Sequence, residues 1–126
     1  MILFIGGAWQ NKKETALRIT GLSPDCVTDG AVCGPDEIFH ARIIDHFHMY
    51  LLEAMRRGGQ AEELADKLCE MNPAACVICN ELGCGVVPLD PEERAWREAV
   101  GRACSRLASF SLEVYRVICG IPVRIK

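Results

Sequence analysis

No stretch of this sequence is both long and apolar enough to cross a bilayer. The longest apolar runs, such as Ala74 to Cys79, fall far short of the roughly 20 residues a spanning helix needs. There is no internal repeat, no low-complexity tract and no linker rich in Pro and Gly. The 126 residues therefore read as one compact domain, residues 1–126, around one core. Lys and Arg are not clustered and the net charge is −3, which excludes a broad nucleic-acid surface. The opening Met1-Ile2-Leu3-Phe4-Ile5-Gly6-Gly7 has no basic stretch ahead of its apolar run and no cleavage site after it. An export signal is not expected, and the chain reads as cytoplasmic.

Cysteine, by contrast, is abundant, with eight residues. Several sit in apolar runs, and with no export signal they read as reduced, buried thiols acting as small hydrophobes. Cys76 and Cys79 form a CxxC, but on a strand residues three apart point to opposite faces, and no second pair follows. No metal site is expected from them.

Along the chain, Ile2 to Ile5 is a short buried strand ending at Gly6-Gly7, and Lys12 to Ile19 reads as a helix. Cys26 to Pro35 fits a short strand or a loop. From Asp36 to Arg57 the spacing of Ile44, Phe47, Leu51 and Met55 predicts one helix, broken by Gly58-Gly59. Gln60 to Met71 predicts another, stopped before Pro73. Ala74 to Cys79 is a second buried strand running into Asn80-Glu81-Leu82-Gly83-Cys84-Gly85. Pro91 to Phe110 is a long helix with Asp90 as its N-cap, Val114 to Cys119 a third strand, and Val123 to Lys126 a final one. Strands separated by helices imply parallel β-α-β units in an open α/β sheet. Ligands bind beyond the carboxyl ends of such strands, here at Gly6-Gly7 and Asn80-Glu81.

The first of these ends carries a phosphate-loop pattern. The motif G-x-x-x-x-G-K-S/T curls backbone N–H groups around phosphate, offers a lysine to its charge and a hydroxyl to magnesium. This chain reads Gly6-Gly7-Ala8-Trp9-Gln10-Asn11-Lys12-Lys13. Gly6 and Lys12 sit correctly. Asn11 stands where the second glycine belongs, and Asn tolerates positive φ. Lys13 stands where the hydroxyl belongs, which removes a magnesium ligand and brings in a second ammonium. That amine either replaces the metal's charge or closes the site.

With the rest of the chain, this loop resembles the adenosylcobinamide kinase/adenosylcobinamide-phosphate guanylyltransferase family. Met1-Ile2-Leu3 with Gly6-Gly7-Ala8 is similar to the family's opening MILVTGGARSGKS. Arg42-Ile43-Ile44-Asp45-His46 resembles its R-I-x-x-H segment, and Asn80 to Pro88 its N-E-V-G-x-G-I-V-P run. Arg94, Arg97, Gly101-Arg102 and Leu107 match its final helix, and Val117 to Lys126 its closing V-x-G-I/L-P-L-R-L-K. The resemblance implies a P-loop NTPase-like (RecA-like), mostly parallel sheet flanked by helices, here reduced in size. It also implies a role in the nucleotide-loop stage of cobalamin biosynthesis: phosphorylation of adenosylcobinamide, then transfer of GMP from GTP through a guanylylated histidine. His46 occupies that histidine's position. Gly6, Gly7, Ala8, Asn11, Lys12 and Lys13 would bind the nucleotide, GTP or ATP, with Arg42, Asn80 and Glu81 as further site candidates. The implied partners are a nucleotide and a corrinoid, in a homo-oligomer that covers exposed sheet edges.

The sequence departs from the family in three respects. Family chains are longer. They carry a strand ending in Asp-Cys-Leu-Thr between the histidine helix and the Asn-Glu strand, and no such strand is read here. Phe47, His48 and Met49 stand where basic residues normally follow the histidine. With Lys13 in the loop, both magnesium ligands are expected to be missing. Two other classes stand beside an active transferase: an inactive relative acting as a binding or assembly protein, and a thiol-based redox or metal protein, which requires exposed low-pKa thiols. A metal site built from His40, His46 and His48 is not expected, because His46 would leave the face the other two share.

Overall fold

The computed structural model describes residues 1–126. Six strands share one sheet. In chain order they are β1 (Ile2–Gly6), β2 (Val27–Asp29), β3 (Ile43–Asp45), β4 (Cys76–Asn80), β5 (Glu113–Ile118) and β6 (Ile121–Arg124). Their spatial order is β2-β3-β4-β1-β5-β6, parallel except for β6, which returns antiparallel along β5. Four helices connect them: α1 (Lys12–Thr20), α2 (Phe47–Arg56), α3 (Ala61–Met71) and α4 (Pro91–Phe110). This is the P-loop NTPase-like, mostly parallel α/β sheet that the sequence leads one to expect. No helix is long and apolar enough to cross a membrane.

The central strands β1 and β4 are apolar along almost their whole length because both sheet faces are covered there. Successive strand residues point to opposite faces. Leu3, Ile44, Val77, Cys79 and Val114 join the larger core under α2, α3 and α4. Phe4, Ile43, Cys76, Ile78 and Val117 join the smaller core under α1. Cys76 and Cys79 thus lie on opposite faces, as strand geometry requires. α4 buries Val100, Ala103 and Leu107 on one stripe, flanked by the partly buried Trp96, Ala99, Cys104 and Ala108. Its start is set locally: the Asp90 side chain accepts from the Glu92 N–H at 2.6 Å, with Pro91 in the first turn.

One predicted element is wrong. Residues 36–57 do not form a single helix; they form a 3-10 turn at Glu37–Phe39, the strand β3, and then α2. The β-branched pair Ile43-Ile44 favours a strand, and all three β3 residues are buried, so no polar alternation marks it. Ile44 happens to fall three residues before Phe47, in step with the apolar stripe of α2. The open segment 26–35 resolves into β2 and a loop.

Candidate functional site

The carboxyl ends of the parallel strands converge on one open cleft of about 680 Å³, lined among others by Asn11, Lys12, Lys13, Asp29, Asp45 and His46. Its first wall is the loop after β1. Gly6 is required by close approach: a Cβ there would lie 2.4 Å from the Val117 carbonyl oxygen, and φ is +154°. The Glu81 N–H donates to the Gly6 carbonyl at 2.9 Å, and the Gly120 N–H to the Gln10 carbonyl at 3.1 Å, so β4 and the β5–β6 turn brace the loop. Asn11 enters α1 at φ 56°, the left-handed conformation expected where the motif has glycine. The Lys12 ammonium is buried and donates to the Gly7 carbonyl at 2.7 Å. Burial lowers its pKa, against the nearby negative charges of Asp45 and Glu81. Trp9, at φ 61°, is 98% exposed on the crest of the loop.

The second wall is built by β2 and β3, whose parallel register ends on two carboxylates, Asp29 opposite Asp45. Asp45 is buried. One oxygen accepts the His46 backbone N–H at 2.8 Å, and the other lies 3.9 Å from the Lys13 ammonium. Asp29 Oδ1 accepts the Ala31 N–H at 2.9 Å and lies 2.9 Å from His46 Nδ1. Burial pushes the Asp29 carboxyl up, but the Ala31 N–H and the His46 ring outweigh it and hold the group below its usual range. Gly30 locks this wall together. Its N–H donates to the Asp45 carbonyl at 2.8 Å, and a Cβ on it would meet that oxygen at 2.9 Å.

His46 therefore sits in a different place from the one expected. It is not inside a helix but at φ 50° between β3 and α2, with the ring half-exposed. Arg42-Ile43-Ile44-Asp45-His46, likened above to R-I-x-x-H, is not helical. In the fold it is the strand before the Asn-Glu strand, paired to it, and it ends in an acid. A strand ending in an acid is therefore present before the Asn-Glu strand: it is β3, and it ends in Asp45. In the tautomer whose Nδ1 donates to Asp29, the ring presents Nε2 as a lone pair to the cleft.

His48 is the opposite case. It is buried, stacks on Trp96 with ring centroids 6.1 Å apart, and is flanked by Asn80: the backbone N–H reaches Nδ1 at 3.4 Å and the side-chain amide lies 3.0 Å from Nε2. Burial, then the neighbouring His46 and Lys12, lower its pKa to about 4, so it stays neutral at physiological pH. Asn80 thus enters the cleft as a partner of His48. Glu81 turns away and pairs with Arg116 at 3.1 Å. Arg42 is not part of the site: it is exposed just before β3, at the far end of the sheet. His40 caps the 3-10 turn and shares no helix with His48.

The metal expected of a complete phosphate loop does not fit these residues. The acid is present, but the hydroxyl is not. In its place the Lys13 ammonium stands 3.9 Å from Asp45 Oδ2, on the face a cation would need. No three His, Cys, Asp or Glu side chains converge as a ligand set. Four of the thiols are disfavoured as thiolate ligands. Burial raises Cys33, Cys69 and Cys76, the last to about 12, and contact with Cys104 together with burial raises Cys79.

Asp29, Asp45 and His48 were not singled out from the sequence. A signal for the first two was present: Val27-Thr28-Asp29 and Ile43-Ile44-Asp45 are both β-branched or apolar runs ending in an acid.

A family model described as cobinamide kinase / cobinamide phosphate guanyltransferase matches residues 30–125. That span holds β3 to β6, and with them Asp45 and His46 of the second wall. Asp29 and the phosphate loop lie before it. A segment of 59 residues is 42% identical to the bifunctional adenosylcobalamin biosynthesis protein CobU of Salmonella typhimurium and 41% identical to that of Escherichia coli. It covers 46% of this chain and 33% of each relative, so the matched part spans about a third of those proteins' length.

Proposed function

The chain belongs to the cobinamide kinase / cobinamide phosphate guanyltransferase family, and from that premise we propose that it binds a nucleoside triphosphate, GTP or ATP, in the cleft between the loop and the β3 tip. Its place would be the nucleotide-loop stage of cobalamin biosynthesis, with a corrinoid as second ligand. Residues 1–126 act as one domain in this reading. The observation that carries it is the convergence of Lys12, Lys13, the α1 N-terminus, Asp45 and an Asp29-held imidazole on one cleft. The loop N–H groups and the helix N-terminus attract the polyphosphate, and Lys12 moves its ammonium from the Gly7 carbonyl to phosphate oxygen.

His46 is the nucleophile of this proposal, on geometry rather than on the R-I-x-x-H pattern. Its Nε2 attacks the α-phosphorus of GTP, the bond to the bridging oxygen breaks, and pyrophosphate leaves. A phosphate oxygen of the corrinoid then takes the GMP, and Nε2 regains its lone pair. Asp29 holds the ring and stabilises the positive charge that develops on it. A second reading, a binding or assembly protein without catalysis, is favoured by Lys13 in the hydroxyl position. In either reading the exposed Ile121, Val123 and Ile125 along the edge strand β6 and the chain after it suit a homo-oligomer, which sedimentation would test.

Calorimetry with GTP and ATP tests nucleotide binding. Wild-type binding that weakens by about 100-fold in Lys12→Ala supports the cleft; no binding of either nucleotide by the wild type defeats the transferase reading and leaves only a binding or assembly role. Acid-labile label carried from α-labelled GTP onto the protein, and absent in His46→Ala, separates the transferase from the binding protein.

A further inference from the structure

The loop binds phosphate with a different set of positive charges from the one its motif describes. The motif's hydroxyl, at the first turn of the helix, exists to ligate a divalent cation, with the strand-end carboxylate opposite. Here that carboxylate, Asp45, is buried and anchored by the His46 N–H. Its remaining oxygen lies 3.9 Å from the Lys13 ammonium and 3.8 Å from His46 Nδ1, whose shorter contact at 2.9 Å is to Asp29. A magnesium ion ligated by Asp45 would sit against this ammonium, with no hydroxyl to complete its shell. The Lys13 side chain is about half exposed, long and free to swing, and it rises from the first turn of α1, next to Lys12. It can therefore touch Asp45 and a phosphate oxygen together, which is the bridging role of the absent cation. Lys12, Lys13 and the α1 N-terminus then meet the polyphosphate from one side, with Asp45 the carboxylate within 4 Å of Lys13 and Asp29 and Glu14 further along the cleft.

We propose that this cleft binds the polyphosphate of a nucleotide without magnesium, the Lys13 ammonium bridging Asp45 and phosphate where a divalent cation would stand. The proposal rests on the nucleotide-binding reading above and adds to it the charge state of the ligand: the free nucleotide, not its magnesium complex.

The experiment is calorimetry of GTP on the full chain in excess magnesium and in excess EDTA, for the wild type and for Lys13→Ser, which restores the motif's hydroxyl. Thermal melts confirm that the variant is folded. Wild-type affinity in EDTA is expected to equal or exceed that in magnesium, because the metal neutralises part of the charge the two lysines recognise. Lys13→Ser is expected to lose at least about tenfold in EDTA and to recover it in magnesium. A wild type that binds about tenfold more weakly in EDTA than in magnesium overturns the proposal. So does a Lys13→Ser variant that matches the wild type in EDTA. Absence of binding in every arm instead defeats the nucleotide-binding reading itself, so the two failures are distinguishable.

Discussion

The two walls of the cleft are built from opposite kinds of sequence. The loop after β1 is contiguous: Gly6 to Lys13 supply its shape and its charge from one short run. The wall at the β3 tip draws on three strands, with Asp29 from β2, Asp45 and His46 from the end of β3, and Asn80 from β4. The loop has lost two motif letters and keeps its path, because Asn11 accepts the left-handed backbone and Gly6 still allows the approach of Val117. Backbone shape survives substitution wherever the new residue can adopt the required φ and ψ. The tip has no such tolerance. Its geometry depends on the register of β2 against β3, and a slip by one residue would send Asp29 and Asp45 to the other face.

The comparison breaks most completely at His46 and Asp29. His46→Ala should abolish label transfer from GTP. Asp29→Asn should lower it by about 10–100-fold, with the nucleotide dissociation constant changed by less than about threefold. Because Asp29 acts through His46, the hydrogen-bonded Nδ1 proton signal of the His46 ring, followed by NMR, should be lost or move in Asp29→Asn; an unmoved signal would show that the carboxylate is only a structural neighbour.

Two glycines sharpen the contrast between the walls. Gly6→Ala places a Cβ 2.4 Å from the Val117 carbonyl oxygen and should destabilise the whole chain by about 3 kcal/mol or more in denaturant melts. Gly30→Ala presses on the Asp45 and His46 carbonyls at 2.9 and 3.0 Å and should destabilise it by about 2 kcal/mol. Its particular mark is lost label transfer with nucleotide binding retained, since it moves the tip and leaves the loop in place. Equal damage to binding would mean that the two walls are one mechanical unit.

A smaller effect comes from His48. Its folded-state pKa of about 4 lies below the ordinary 6.5, so the neutral ring's contribution is complete above about pH 6.5 and is lost as pH falls towards 4. Melts at pH 7.5 and 4.5 should differ by about 1–2 kcal/mol from this residue, less than the full shift implies because the cleft admits water. His48→Gln should flatten that part of the profile. The smallest effect is at Asn11: Asn11→Gly restores the motif letter and should leave stability within about 1 kcal/mol, relief of the left-handed strain being offset by a more flexible unfolded chain.

Much of the architecture was legible along the chain. α4 runs from Pro91 to Phe110 as its Asp90-Pro91 start predicts, and β1, β4 and β5 are apolar runs in place to within two residues. The family could be read from the Asn80 to Pro88 run and the closing strand, because both are contiguous. β3 could not. Three fully buried residues carry no alternation, and their spacing to Phe47 and Leu51 imitates a helix. That single misreading moved His46 into a helix and hid Asp45, so the loop was judged to lack an acid that stands 3.9 Å from Lys13.

The sequence alone determined the strand–loop–helix at the start, the α/β class and the family, since each is written in local periodicity or in an unbroken run of letters. Only the tertiary structure decided which side chains face the loop. Parallel strands acquire neighbours through crossovers of a dozen or more residues, and no spacing along the chain records that Asp29, Asp45 and Lys13 end at one edge of one sheet.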